Sequence, residues 1–451
     1  MFELSLDDLK KVAGIEFSNI PSSVKTFSGI SIDSRSIHKG EVFFAIKGDR
    51  FDGHDFVKTA LNSGALFAVV HKTLKYGHLP LALVPDTLKA LQTLANVHRN
   101  KFKIPVIAVT GSNGKTTLKE MLAQILQSDR KVLKTEGNLN NHIGCPLTLL
   151  RLNASHRAAV VELGSNHPGE IAVLAEISEP SHAVISNIGE AHLEFFKNKE
   201  GVFKEKSSLF DAMGSGTYIY VNLNDRLLQN YTPNKGQKVT RFAFDKEADV
   251  RGTQLILNDE GCASFVLNEK TKITLQVPGI HNAYNALAAA AVAMDLGCSP
   301  NSVKDALEAY RSFDKRMQKV VVNGAVIIND CYNASPDSMH AALETVSRIK
   351  SGNSLYLLLG DMFELGDAAL EAHQRIIEKA LSVKANGVYL IGNLMQKAAT
   401  GLKDENIQIL SSNEEAAQLL RKKIKPGDLV LIKGSRGMKM EEIIDLIKKA
   451  Q

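Results

Sequence analysis

The sequence predicts an α/β protein of two or three domains. Three observations predict it. The chain has 451 residues, too many for one ordinary hydrophobic core. From Val106 onward, short β-branched runs alternate with helical patterns, the signature of strands joined by helical crossovers. The alternation restarts at about residue 316 with a fresh set of strands and helices.

Taken in order, residues 1 to 84 mix short strands and helices. Val42–Ile46 and Leu66–Val70 read as buried strands, with a helix at Val57–Ser63 between them. A helical pattern over residues 86–102 stops at Ile104-Pro105, since the residue before proline disfavours helix. Val106–Val109 is a β-branched strand. After a Gly-rich turn, Leu118, Met121, Leu122, Ile125 and Leu126 repeat at helical spacing. Strands are expected at Ala158–Val161, Ala183–Ile188 and Tyr218–Val221, an antiparallel pair within residues 250–277, and an Ala-rich helix at Asn282–Leu296. Beyond residue 316, strands at Val326–Asn329, Leu355–Leu359, Val388–Ile391 and Leu429–Ile432 alternate with helices at about 337–349, 369–382, 413–423 and 439–449. That is the pattern of a second doubly wound sheet.

Composition narrows the function. Apolar residues make up 44% and charged residues 23%, ordinary for a soluble globular chain. The net charge of +5 is mild, and no stretch clusters Lys and Arg with interleaved aromatics, so nucleic acid is not an expected partner. A mild positive balance suits a small, multiply anionic substrate. The N-terminal Met1–Lys11 carries Glu3, Asp7 and Asp8, unlike a secretory signal. The most apolar helical stretch, Ala286–Met294, is about half the length that spans a bilayer. Cys145, Cys262, Cys298 and Cys331 show no paired spacing, which argues against a disulfide framework or a zinc site. The expectation is a soluble cytoplasmic enzyme without membrane insertion.

Gly111-Ser112-Asn113-Gly114-Lys115-Thr116-Thr117 lies between the Val106 strand and the following helix. Such a turn is an anion site by construction. Backbone N–H groups at the helix start face the phosphates, and the helix dipole adds to them. Gly111 and Gly114 allow close backbone approach, Lys115 supplies a point charge, and the Thr116 hydroxyl can ligate Mg²⁺. The usual first glycine of a phosphate loop would fall at Val109, so this is a shortened variant. ATP with Mg²⁺ is the expected ligand. Glu162 ends the strand Ala158–Val161 on the ligand edge of an open sheet. It reads either as a Mg²⁺ ligand or as an ordinary surface carboxylate. His192 follows the next strand and reads either as a ligand or as a structural histidine. Magnesium prefers oxygen, which counts against it. By local pattern Lys206 is a solvated surface lysine.

Further landmarks run through the chain. They are Asp33-Ser34-Arg35, Gly48–His54, Gly137–Gly144, Glu162–Glu170, Asn187–Glu194, Gly279–Ala286, Tyr332-Asn333-Ala334, Leu359–Gly366 and Lys433–Arg436. With the Thr110–Thr117 loop and in this order, the sequence resembles the Mur ligases, the amide-forming ATPases of peptidoglycan precursor synthesis. It is most similar to the branch that adds D-alanyl-D-alanine. The resemblance implies three domains: a small mixed α/β domain binding the UDP moiety at residues 1–84, a central P-loop ATPase α/β domain at 85–315, and a C-terminal Rossmann-like domain at 316–451. It implies that ATP phosphorylates the terminal carboxylate of a UDP-N-acetylmuramoyl-tripeptide. The amine of D-alanyl-D-alanine then attacks the acyl phosphate. A monomer is expected.

Carried onto this sequence, the resemblance places Lys115 on the phosphates, Thr116 and Glu162 on a first Mg²⁺, and His192 on a second. Lys206 falls where the family carries a carbamylated lysine. A carbamate would turn a cation into an oxygen donor suited to a hard metal ion. Asn282, Arg316 and Asp330 are implied to contact the nucleotide. Ser34, Arg35 and His54 are implied at the UDP site, with Asn138 on the substrate side and Asn333 near the incoming dipeptide. Two positions depart from the family pattern. Ser335 follows Tyr332-Asn333-Ala334 where Asn is common, and Ile32 precedes Asp33 where Thr is frequent. The sequence has no Asp-Asn-Pro-Arg-type selector, as the relative that adds diaminopimelate or lysine would. Two other readings compete. A folylpolyglutamate-type or cyanophycin-type ligase should lack the Asp33–His54 region. A nucleotide switch needs a guanine-reading Asn-Lys-x-Asp, and Asn222-Leu223-Asn224-Asp225 lacks the lysine.

Overall fold

The computed structural model describes residues 4–71, 78–349, 353–402 and 404–449. The α/β class holds. Three main sheets follow one another along the chain.

The first sheet orders its strands Glu16–Ser18, Leu81–Leu83, Ala68–Val70, Glu41–Phe44 and Gly29–Ser31, with only the first pair antiparallel. Val42 and Phe44 face one apolar layer, Phe43 and Ala45 the other, as the two-residue period of a strand requires. The helix at Thr87–Asn100 starts at Asp86, whose carboxylate accepts from Leu88 N and Lys89 N. That cap explains its sharp start. The helix buries Ala90, Leu91 and Leu94 against the first sheet, while Ala95 joins the core of the second. It therefore serves two cores at once.

The second sheet has nine strands. Its order is Val132–Lys134, Ala158–Glu162, Val106–Thr110, His182–Ile185, Tyr218–Asn222, Lys238–Phe244, Val250–Leu257, Cys262–Leu267 and Thr271–Pro278. The first seven run parallel, and the last two turn back antiparallel. Val106–Thr110 and Ala158–Glu162 are buried along their whole length, as strands covered on both faces must be. The sequence expectation of one antiparallel pair in residues 250–277 becomes a three-stranded meander. The strand expected to run to Ile188 ends at Ile185. Ser186–Gly189 instead leaves the sheet to brace the phosphate loop.

The third sheet orders Gln318–Val322, Ala325–Asn329, Leu429–Lys433, Leu355–Gly360, Gly387–Ile391 and Ile407–Leu410. Its first pair is an antiparallel hairpin and the rest run parallel. The hairpin turns on Asn323-Gly324, with φ of 51° and 77°. Two left-handed residues are what a tight hairpin turn demands, and they add the strand Gln318–Val322 that hydrophobic runs alone did not reveal. One buried apolar cluster joins Phe196 and Leu193 of the central part to Leu365, Met339 and Leu359 of the C-terminal part. Among the described residues no helix is long and apolar enough to cross a membrane.

Candidate active site

The strand Val106–Thr110 delivers the chain into the loop, and Lys115 opens the helix Lys115–Leu126. Gly111 (φ 139°) and Gly114 (φ 80°) take backbone conformations costly for other residues. A Cβ on Gly111 would collide with Ser186 Oγ, and one on Gly114 with the Asn285 amide. The loop is held from outside. Asn113 N donates to Asn187 Oδ1 at 3.1 Å, and Ser112 Oγ donates to Gly189 O at 3.1 Å. Lys115 Nζ donates to the carbonyls of Gly111 (2.7 Å) and Ser112 (3.1 Å). The ammonium is thus curled over the loop where phosphate oxygens could replace the carbonyls as acceptors. Burial pushes the Lys115 pKa down to about 8, opposed by Glu162 and assisted by Arg316.

Glu162 is buried, which removes the surface-carboxylate reading. Its Oε2 accepts from Thr116 Oγ1 at 2.9 Å and its Oε1 from Asn140 Nδ2 at 2.8 Å. Lys119 Nζ, fully buried, stands 3.8 Å from Oε2. Thr116 and Glu162 therefore present two hard oxygen donors to one point beside the phosphate loop. That set suits Mg²⁺, which takes one or two protein oxygens and completes its shell with phosphate and water. Among the described residues no three His, Cys, Asp or Glu side chains converge.

Across from the loop stands the C-terminal part. Arg316 lies with its guanidinium carbon 3.9 Å from the Tyr332 ring centroid and donates to Thr116 Oγ1 at 2.8 Å. Its Nε is buried without a hydrogen-bond partner among the described residues. Asp330 accepts from Lys433 Nζ at 2.5 Å and from Met317 N at 3.0 Å. Lys433 also donates to Asn333 O at 3.1 Å. Ser335 Oγ reaches Asn113 Oδ1 at 3.1 Å, so the position that departs from the family pattern touches the phosphate loop itself. His192 Nδ1 meets Glu364 Oε2 at 2.5 Å. That hydrogen bond holds the Glu364 carboxyl below its ordinary range.

Lys206 is not a surface lysine. The helix Lys199–Asp211 carries it inward, and its Nζ donates to Ser165 Oγ at 2.7 Å. Burial first, and then the like charge of Lys115, push its pKa down to about 7. Ser165 lines the cleft and Lys206 stands behind it.

These groups surround one cleft of about 1240 Å³, lined by Lys115, Thr116, Asn138, Glu162, His192, Asn282, Arg316, Asp330 and Asn333 among others. That exceeds the few hundred to about 1,000 Å³ of a site for one small ligand and leaves room for a nucleotide and a second substrate. Ser34, Arg35 and His54 lie outside it, in the first sheet's part of the chain. Arg35 is exposed and pairs with Asp33, NH2 to Oδ2 at 2.7 Å. His54 is buried, its Nδ1 2.6 Å from Asp52 Oδ1 and its Nε2 accepting from His71 N. Both ring nitrogens are thus engaged within that part. Residues that sequence reasoning did not single out include Asn140, Lys119, Asn187, Asn285 and Glu364. Lys119 had a signal: it lies four residues after Lys115, on the same helix face. The others sat inside quoted landmarks without an assigned role.

Known proteins resemble this chain along nearly its whole length. The Mur ligase middle domain matches residues 109–293, the Mur ligase glutamate ligase domain 315–436, and the Mur ligase family catalytic domain 26–130. The chain is similar to the UDP-N-acetylmuramoyl-tripeptide--D-alanyl-D-alanine ligase of Bacillus subtilis, 33% identical with 93% of each chain covered. It is similar to the Escherichia coli protein of the same name, 33% identical with 94% of each covered. A crystal structure of MurF from Acinetobacter baumannii superimposes with TM-score 0.91 at 31% identity, covering 99% of both chains. The MurF ligase of Thermotoga maritima in complex with ADP gives TM-score 0.84 at 29% identity, over 93% of this chain and 97% of that one.

Proposed function

We propose, from the premise that this chain belongs to the Mur ligase family, that it joins D-alanyl-D-alanine to a UDP-N-acetylmuramoyl-tripeptide. It is an ATP-dependent, C–N bond-forming ligase of peptidoglycan precursor synthesis. The observation that carries this reading is the shared cleft. Lys115 and Thr116 form one wall, and Tyr332, Asn333 and Ser335 the other. A simple ATPase needs only the first wall. A ligase must hold an acyl phosphate against a second nucleophile, and the second wall supplies that place.

The chemistry runs in two displacements. A carboxylate oxygen of the tripeptide attacks the γ-phosphorus and ADP leaves. The neutral amine of the dipeptide then attacks the acyl carbon, the C–O bond to phosphate breaks, and the nitrogen loses a proton. Lys115 moves from the Gly111 and Ser112 carbonyls onto the phosphates, where its charge offsets that growing on the transferred group. Arg316 and Asp330, with Asn282, hold the nucleotide. Thr116 and Glu162 would hold one Mg²⁺ and His192 a second, and the ions when bound would neutralise phosphoryl charge. Lys206 is read as carbamylated. Its support is a buried amine with a pKa near 7, which keeps much of it neutral and nucleophilic towards CO₂. The same reading assigns Ser34, Arg35, His54 and Asn138 to the UDP-linked substrate and Asn333 to the dipeptide. It divides the chain after residues 84 and 315 and takes it to act as a cytoplasmic monomer, in a step that cell shape and division depend on.

The test is phosphate release from ATP by the purified protein. Release should require both UDP-N-acetylmuramoyl-tripeptide and D-alanyl-D-alanine, with diaminopimelate- and lysine-containing tripeptides compared side by side. Equal release without the dipeptide would point to a hydrolase and defeat the ligase reading.

A further inference from the structure

The loop Gly360–Gly366 of the C-terminal part packs Leu365 against the central part and hydrogen-bonds across to it through Glu364. Two contacts are made there. The Glu364 carboxylate meets His192 Nδ1 at 2.5 Å, and the Glu364 carbonyl accepts from Glu194 N at 3.1 Å. Both partners sit in the left-handed region, His192 at φ 52° and Glu364 at φ 62°. Two non-glycine residues strained at one contact are costly, on the order of 1–3 kcal/mol each, and such strain concentrates at functional sites. Gly366 lets the loop in, since a Cβ there would stand 3.1 Å from Glu194 Cα.

A carboxylate only accepts hydrogen bonds near neutral pH. Its partner Nδ1 must therefore carry the proton. In the neutral ring the lone pair is then on Nε2, and His192 lines the cleft. A second ring orientation or tautomer would cost the carboxylate its donor in a half-buried site.

We infer that Glu364 is a positioning residue that fixes His192 as the Nδ1–H tautomer, which leaves Nε2 as the ring's lone-pair donor atom for the cleft, and does so only when the C-terminal part is docked on the central part. Carboxylate partners of this kind set which imidazole nitrogen works. The device makes the central part's histidine competent only in the assembled enzyme. It rests on the ligase reading for the value of His192, but not for the hydrogen bond itself.

The test uses the full-length protein and the variants E364A and E364Q, with ¹⁵N spectroscopy of the histidine side chains and steady-state kinetics. E364A is expected to lose kcat by about 10- to 100-fold with KM for ATP little changed, and to shift the His192 signals away from the Nδ1–H pattern. E364Q, whose amide oxygen still accepts from Nδ1–H, is expected to keep that pattern and recover most of kcat. An E364A protein with wild-type His192 signals overturns the inference whatever its activity. So does an E364Q protein as impaired as E364A while equally folded. Because the spectroscopic readout needs no substrate, failure of the ligase reading would leave it interpretable.

Discussion

Lys115 and Lys206 are both buried lysines whose pKa values burial drives down, yet their roles separate on geometry. Among the described residues, the Lys115 ammonium hydrogen-bonds only to loop carbonyls. Lys115→Ala should therefore leave the thermal midpoint near wild type while ligation falls at least about a hundredfold, the scale of losing a charge-stabilising group. A variant with near-normal phosphate release would remove Lys115 from the phosphates. Lys206 donates to Ser165 Oγ behind the cleft wall. Lys206→Ala should be inactive and partly restored by short carboxylic acids that fit the vacated space, each supplying an oxygen anion. Full activity without rescue would rule out a carbamate there.

At the level of elements, parallel strands buried on both faces hold polar groups that strand propensity does not anticipate. His182 begins the strand His182–Ile185 and stacks flat on Tyr218 of the next, centroids 4.6 Å apart at 3°. Burial holds its pKa at about 4, with Asp295 opposing and Lys238 assisting, against about 6.5 in an unfolded chain. The unfolded state therefore binds a proton between these values that the folded state does not. Stability should fall as the pH drops from 6.5 to 4, by at most on the order of 3 kcal/mol from this residue. His182→Phe keeps the ring stack and removes the proton site. It should narrow the loss of denaturation midpoint between pH 7 and pH 4.5. An unchanged loss would show that His182 is not a source of acid lability.

At the scale of the molecule, catalysis depends on two sheets meeting over one cleft. The loop Gly189–His192 is the seam. Asp337 accepts from Glu190 N at 2.6 Å, Arg375 pairs with Glu190 at 2.9 Å, and Glu364 holds His192. Arg375 is half exposed, so Arg375→Ala should weaken docking by less than about 1 kcal/mol. Asp337→Ala strands a backbone donor and should cost more, about 1–3 kcal/mol. Small-angle scattering of the nucleotide-free protein should show a larger radius of gyration for Asp337→Ala than for wild type, recovering with ATP. Identical scattering for both would mean that the Arg375–Glu190 and Glu364–His192 pairs and the apolar contact of Phe196 and Leu365 hold the parts together without Asp337.

Much of this was legible in the chain. The order of strands and helices follows from local periodicity, and the phosphate loop from a short run of residues whose neighbours are a strand and a helix. Both are local properties, and local properties are written in contiguous sequence. Asn323-Gly324 shows the limit of periodicity alone: the turn was in the sequence, but the strand before it had to be paired before it could be seen. What only the tertiary structure decided is where charge is buried and who faces whom. Lys206 became an interior amine, Glu162 a buried acceptor for the Thr116 hydroxyl, and Glu364 the partner of a histidine 172 residues away. Burial and distant pairing depend on how whole sheets pack. A lysine reads the same along the chain whether water or an apolar core surrounds it.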